Sequence, residues 1–548
     1  MSPDETPVPL RIRAFVPSGR LTALILTATL AARAAGCSRV PAPVVQPSAA
    51  AAVAAPREHR DQLFVADEML RRGCYDCLRD ALATYEALQD DAEFGTRARD
   101  AAVRTALLLA VRETELGLSH GGYIERARRL LGPMAQASPE LPGLVEMAEV
   151  MANGPVGFTR TASTDSQIAA MLALARSQEQ WASVLRNLMP QDLAASYLWL
   201  SLACGPYAST FPDHQKRDSL LQTVAVFPLF ALKVATACGL TTAEPLEAML
   251  ATEPRFGEIH YHLGLFALGG ETGMPPDLDL ADAHFREAYA WRTDWPTLTL
   301  AIANVAMSAE DFPRAFEYYD YTLGLSTDDA DALTGTIRAL TYSNRYGEAI
   351  AQADRLIGTG RNVGEAHYWR AMNFARLKDD GQAWTAIEAA ATSLANADVP
   401  KLAGIIAINR RDWATARQRL ELAAVRRRGD CETAYYLQAV TAEQRDWEAT
   451  ARVASDAGAC FDTDESVIQQ ELAVVRASLM AADRRARLVA RREAQLVSNA
   501  RMRATAWYNA AAANFNLSRS VEARRYAEKV ADDAFYGDRA RSLLDRLK

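Results

Sequence analysis

Seven cysteines and seven histidines are the side chains of this 548-residue sequence best equipped to bind a metal, carry electrons or attack a substrate. Cys74-Tyr75-Asp76-Cys77 is a Cys-x-x-Cys. That spacing suits a dithiol–disulfide couple, half of a zinc site or, with a following histidine, haem attachment. Leu78 stands where the haem histidine would be, and no strand–helix–strand pattern of a redox domain surrounds the pair, so the reading is a structural disulfide or free thiols. His260 and His262 are two apart on a predicted helix and point to different faces. His284 on the partner helix could add one ligand to one of them, which is no metal set. No glycine-rich phosphate loop, nucleophile elbow or His-Glu-x-x-His occurs. The acids Asp328-Asp329 and Asp462 with Asp464-Glu465 are read as helix starts, where capping and the helix dipole favour them. No enzymatic activity, cofactor, metal or small-molecule substrate is therefore expected. The net charge of −8 gives no basic surface for nucleic acid, and none is expected as a partner.

The N-terminus has its own chemistry. Arg11, Arg13 and Arg20 precede an uncharged run from Leu21 to Ala32, too short to span a bilayer and suited to a signal-peptide core. Ala34-Ala35-Gly36-Cys37 follows, and this resembles the lipobox of bacterial lipoproteins. The resemblance implies cleavage before Cys37 and lipidation of that residue, although Ala34 stands where the family prefers Leu and Arg33 lies just upstream. Simple cleavage, giving a free secreted protein, is the alternative. Residues 1–36 are read as signal peptide and 37–58 as a Pro/Ala-rich extended linker.

The elements that must position any site are helices. Ala, Leu, Arg and Glu dominate, and period-two strands are scarce. Ala281, Ala315, Ala349, Ala383, Ala416 and Thr450 recur at intervals of 34, 34, 34, 33 and 34 residues. Four residues on stand Phe285, Tyr319, Ala353, Ile387, Leu420 and Ala454; three further stand Ala288, Thr322, Leu356, Ala390, Ala423 and Ala457. In the preceding helix Ala303, Ile337, Ala371, Gly404 and Gln438 fill one column, and Gly264 corresponds after a short insertion. This pattern resembles the tetratricopeptide repeat, a 34-residue helix-turn-helix with small residues at close-packing positions. The expected fold is all-α, a superhelical solenoid of antiparallel helix hairpins. Residues 59–253 are a divergent helical repeat region and 254–462 the regular array. Residues 463–503 are one long helix, and 504–548 a terminal repeat, marked by Trp507, Ala511, Phe515, Ala523, Ala527 and Val530, plus a capping helix.

Cys431 opens a first helix and Cys460 follows the end of its partner, ends that lie together in an antiparallel pair, so a disulfide is expected. Cys204 and Cys238 could join helix ends likewise. The family resemblance implies ligands along the first helices, and the register puts Tyr261, Asn304, Arg338, Tyr342, Tyr368, Arg376, Lys401, Asn409, Tyr435 and Tyr508 there. Tyr with Arg, Lys and amides suits an extended peptide, and packing is the alternative for the tyrosines. The family's carboxylate clamp is not implied, since Lys401 and Asn304 sit in separate repeats. Arg476 to Arg503 holds eight Arg, either a solvated face or an attraction for anionic lipid or an acidic partner. The expectation is a non-enzymatic scaffold for protein or peptide partners, lipid-anchored in the bacterial envelope as an outer-membrane lipoprotein facing the periplasm. A secreted or periplasmic binder of a glycan or cell-wall polymer is the alternative.

Overall fold

The computed structural model describes residues 49–118, 121–132, 134, 138, 141–153, 192–204, 227–237, 244–269 and 276–548. The leader, Cys37, Cys238 and parts of the divergent helical region expected at 59–253 lie outside these residues. Among the described residues all regular structure is α-helical, and no helix is long and apolar enough to cross a membrane. The chain divides into two compact units with a boundary after Leu298.

The first unit opens with α1 (Ala49–Arg72). The linker expected through residue 58 is thus helical from Ala49, where a run of alanines carries the lowest intrinsic cost of helix formation. The chain turns at Gly73, left-handed at φ +74, into α2 (Tyr75–Ala87); a side chain at Gly73 would strike Leu229. Then come α3 (Gly95–Leu116), α4 (Tyr123–Leu131), α5 (Leu141–Asn153), α6 (Leu193–Cys204), α7 (Pro228–Ala237) and α8 (Glu244–Thr252). The first regular hairpin follows as α9 (Glu258–Gly269) and α10 (Leu278–Trp291). Four of these helices meet at a buried polar cluster. Arg112 of α3 pairs with Glu115 at 2.5 Å and with Glu258 of α9, and donates to the Tyr197 hydroxyl of α6 at 3.2 Å; Lys233 of α7 pairs with Glu115. Burial alone would raise the Glu115 carboxyl, but Lys233 and Arg112 overcome it and hold the group at about 2. Burial pushes the Glu258 carboxyl upward even against Arg112. Losing one partner of such a cluster strands a buried charge, which costs about 3–5 kcal/mol.

The second unit is a run of hairpins: the end of α11 (Pro296–Ser308) with α12 (Phe312–Leu325), α13 (Ala330–Tyr342) with α14 (Tyr346–Gly358), and α15 (Val363–Arg376) with α16 (Asp380–Ala391). It continues as α17 (Asp398–Asn409) with α18 (Trp413–Arg426), α19 (Cys431–Glu443) with α20 (Trp447–Ala477), α21 (Ala482–Asn516) with α22 (Ser520–Glu528), and α23 (Gly537–Arg546). Every hairpin turns the same way. Glu310, Asn344, Lys378, Arg411, Arg445 and Ser518 all take left-handed backbone, φ 57° to 63°. The next amide reaches back five residues to close each first helix, as Asp311 N–H to Ala306 C=O (2.8 Å) and Asp379 N–H to Phe374 C=O (3.0 Å) show. Asp311, Asp379, Asp412 and Asp446 then cap the second helices through their carboxylates.

One element departs from expectation. Residues 463–503 are not one helix: α20 runs to Ala477, the chain breaks at 478–481, and α21 runs back antiparallel from Ala482 into the terminal repeat. Asp462, Asp464 and Glu465 accordingly lie inside α20 rather than at a helix start. A single 41-residue rod would leave its apolar stripe unpartnered, whereas the fold-back buries Leu472 within the arm.

Candidate partner-binding surface

First helices α13, α15, α17 and α19 touch in succession and form one continuous face. From Phe312, which opens second helix α12, an aromatic strip runs over first helices α13 and α15 and so touches three repeats. Phe312 stacks on Tyr342 at 5.0 Å between centroids, Tyr342 meets Trp369 edge-on at 6.0 Å, and Trp369 meets Tyr368 at 5.6 Å. Tyr342 is 44% exposed, and Arg338 on α13 and Arg376 on α15 are exposed as well. Of the ten positions projected onto the first helices, Tyr342 and Tyr368 are joined through the buried Trp369, and Arg338 and Arg376 are exposed on the same two helices. Burial raises the Tyr368 phenol above its ordinary range, with Asp398 and Tyr342 adding to it, so its hydroxyl keeps its proton as a donor.

The other six positions are already engaged. Asn304 accepts from the Tyr319 hydroxyl at 2.7 Å, and Asn409 donates to Asp380 at 3.1 Å. Lys401 sits in a cage of Glu432 (3.0 Å), Asp430 (3.3 Å) and Asp398 (3.9 Å). Burial would lower its ammonium, yet Glu432 and Asp430 raise it. The cage engages its charge within the fold, beside the ligand role expected of Lys401. Tyr508 is buried and stacked on Tyr536 at 5.1 Å. Tyr435 is half-buried against Phe461 and Tyr436. Tyr261 belongs to the first unit and packs against Trp295 at 4.7 Å. For these three, packing is the role the structure shows.

In the second helices of both units, all eighteen residues of the three columns are buried, from Ala281 to Ala457. Small first-helix residues admit large ones from the second helix: a Cβ on Gly335 would lie 2.2 Å from the Tyr319 ring, and one on Gly404 2.6 Å from Leu420. The left-handed turn residues at 310, 344, 378, 411 and 445 recur with the same 34- and 33-residue spacing. The array is built on the tetratricopeptide plan.

No protein-family model and no curated protein matches the sequence. Among solved structures the chain is similar to YrrB, described as a TPR protein with an unusual peptide-binding site: 18% identity, 32% of this chain and 91% of that one, TM-score 0.28. It is similar also to a tetratricopeptide repeat protein from Parabacteroides merdae (11% identity, 53% and 98% covered, TM-score 0.32). A third is yeast Tom70 (11%, 81% and 96%, TM-score 0.30).

Among the described residues two disulfides are present. Cys431 and Cys460 are joined with Cα atoms 5.5 Å apart, at the base of the α19–α20 hairpin. Cys74 and Cys77 are joined at 4.9 Å, both sulfurs buried at the start of α2. The expected Cys204–Cys238 pairing lies partly outside the described residues. His260 and His284 face each other, Nδ1 to Nδ1 at 3.2 Å, and among the described residues no group of three or more His, Cys, Asp or Glu side chains is placed to hold a metal. The cationic run Arg476 to Arg503 is spent largely inside the fold. Arg476 pairs with Glu493 (2.8 Å), Arg492 with Glu471 (2.9 Å), and Arg503 with Glu465.

Proposed function

We propose that this chain is a non-catalytic scaffold that binds a protein partner's extended segment along the first-helix face of its tetratricopeptide array. The aromatic strip Phe312–Tyr342–Trp369–Tyr368, on helices that also carry exposed Arg338 and Arg376, carries the reading. Rigid aromatics supply contact area at low entropy cost, and guanidinium groups fix carbonyls or carboxylates of a bound chain. A glycan platform would want open ring faces, whereas Tyr342 has one face covered by Phe312. The proposed setting is the bacterial envelope, with the body tethered through lipidated Cys37. The uncharged run ending in Ala34-Ala35-Gly36-Cys37 supports this, and disulfides such as Cys431–Cys460 suit an oxidising compartment.

A photo-crosslinking residue placed at Tyr342, in the native host, tests the reading. Discrete protein adducts are expected from position 342 and not from Ala351, an exposed position on the second helix α14. Equal adducts at both positions, or none at 342, overturn the binding face.

A further inference from the structure

The hairpin that continues past Cys460 is an anomaly of the array. Second helices α12, α14, α16 and α18 are 12–14 residues long, but α20 has 31 and α21 has 35. The surplus is an arm of two antiparallel helices, about 25 Å long beyond Cys460 at 1.5 Å per residue. Arg476–Glu493 and Arg492–Glu471 pairs hold it together. It reaches back over several repeats to the turn between α11 and α12. There Arg491 Nε lies 3.1 Å from Glu310 and its guanidinium stands over the Phe312 ring at 5.9 Å. Arg487 lies 3.8 Å from Asp311. Phe312 is the ring on which Tyr342 stacks, so the arm is seated at one end of the aromatic strip.

The chemistry of that seat is specific. Two carboxylates on consecutive residues, next to a stacked pair of aromatic rings, match a guanidinium twice over, by charge and by the face of a ring. The attachment is also weak by design of its parts. Arg487 and Arg491 keep more than a third of their side-chain surface exposed, and exposed ion pairs are screened and individually small. Leu479 at the arm's tip is fully exposed, so the tip adds no apolar anchor.

We propose that Glu310, Asp311, Phe312 and Tyr342 form an arginine-reading seat. The chain's own arm fills this seat in cis, and an arginine-bearing helix or peptide of a protein partner displaces the arm to bind. The inference rests on the first-helix face being the binding face and names the chemistry of what it takes. Because the arm is tethered, it competes at an effective concentration that a free ligand must exceed. Occupancy by the arm therefore sets a threshold that a free ligand must pass.

A labelled synthetic peptide spanning residues 482–503 is the probe, and fluorescence anisotropy against the full chain is the readout. The Arg487→Glu, Arg491→Glu double variant repels its own arm from the seat and should bind the peptide about tenfold more tightly than the wild-type chain. Adding Glu310→Gln and Asp311→Asn should abolish that gain; the Asn retains the cap of α12, so the fold is kept, and circular dichroism checks it. Equal affinity for wild-type and double variant, or a gain that survives loss of both acids, overturns the proposal. Failure of the crosslinking at Tyr342 with a positive peptide result would instead leave the seat intact and count against the partner-binding face alone.

Discussion

Gly335 shows how much one missing carbon decides in this molecule. Tyr319 lies across it, fully packed, with its hydroxyl tied to Asn304, and burial pushes that phenol up to about 12. Gly335→Ala forces the ring aside in a site with no slack. It should cost about 1–3 kcal/mol, whereas the same change at exposed Gly347, where a Cβ meets nothing, should be neutral or stabilising. Urea midpoints of the two variants compare them directly, and equal midpoints would refute the packing argument. His262 sets a pH dependence in the first unit. Burial, with Arg112 and Lys233, holds its imidazole down at about 4 against an ordinary 6.5, and Glu115 only partly opposes this. The unfolded chain therefore takes the proton first. Stability from this group is full above pH 6.5 and is lost as pH falls toward 4. His262→Gln should make the decline of the thermal midpoint across that window shallower, and an unchanged slope would remove His262 from the account.

At the scale of the helix pair, the Cys431–Cys460 bond clamps the base from which the arm springs. Closing a loop of this length is worth about 3.6 kcal/mol on the chain-entropy model, so Cys431→Ser with Cys460→Ser should lower the unfolding free energy by about that much. A variant as stable as the parent would mean the hairpin needs no clamp. Hairpins were the part of the structure most legible in the sequence. Small residues 34 apart report a packing constraint repeated by every unit, and Cys431 and Cys460 could be paired from that register alone. The arm was not legible as two helices, because Ser478-Leu479-Met480-Ala481 contains no Gly or Pro to mark the break. Ala481, at the start of α21, makes no side-chain cap either. The signal that was present lay in charge: Arg476, Glu471, Arg492 and Glu493 are unlike charges placed to pair only when the segment folds back.

Across the whole molecule, the site was half legible for a reason of distance. Tyr342 and Tyr368 could be placed from a register within one array, but what surrounds each candidate comes from other repeats. Lys401 lost its availability to Asp430 and Glu432 of the next repeat. Phe312 gained a guanidinium from Arg491, far along the chain. The largest question of scale is where such a body resides, and the N-terminal segment offers the handle. An uncharged run of about a dozen residues is too short to remain as a stable membrane span, and no described helix is long and apolar enough to supply one. Attachment through this route then depends on acyl chains on Cys37, each buried methylene contributing about 0.8 kcal/mol. Cys37→Ser removes the acceptor without touching any described residue. The variant should move from the membrane to the soluble fraction of the native host and lose incorporation of labelled palmitate. Its circular dichroism and melting should match those of the parent's folded body. Unchanged fractionation with no palmitate in either protein would eliminate the anchor, leaving the scaffold to be placed by other means.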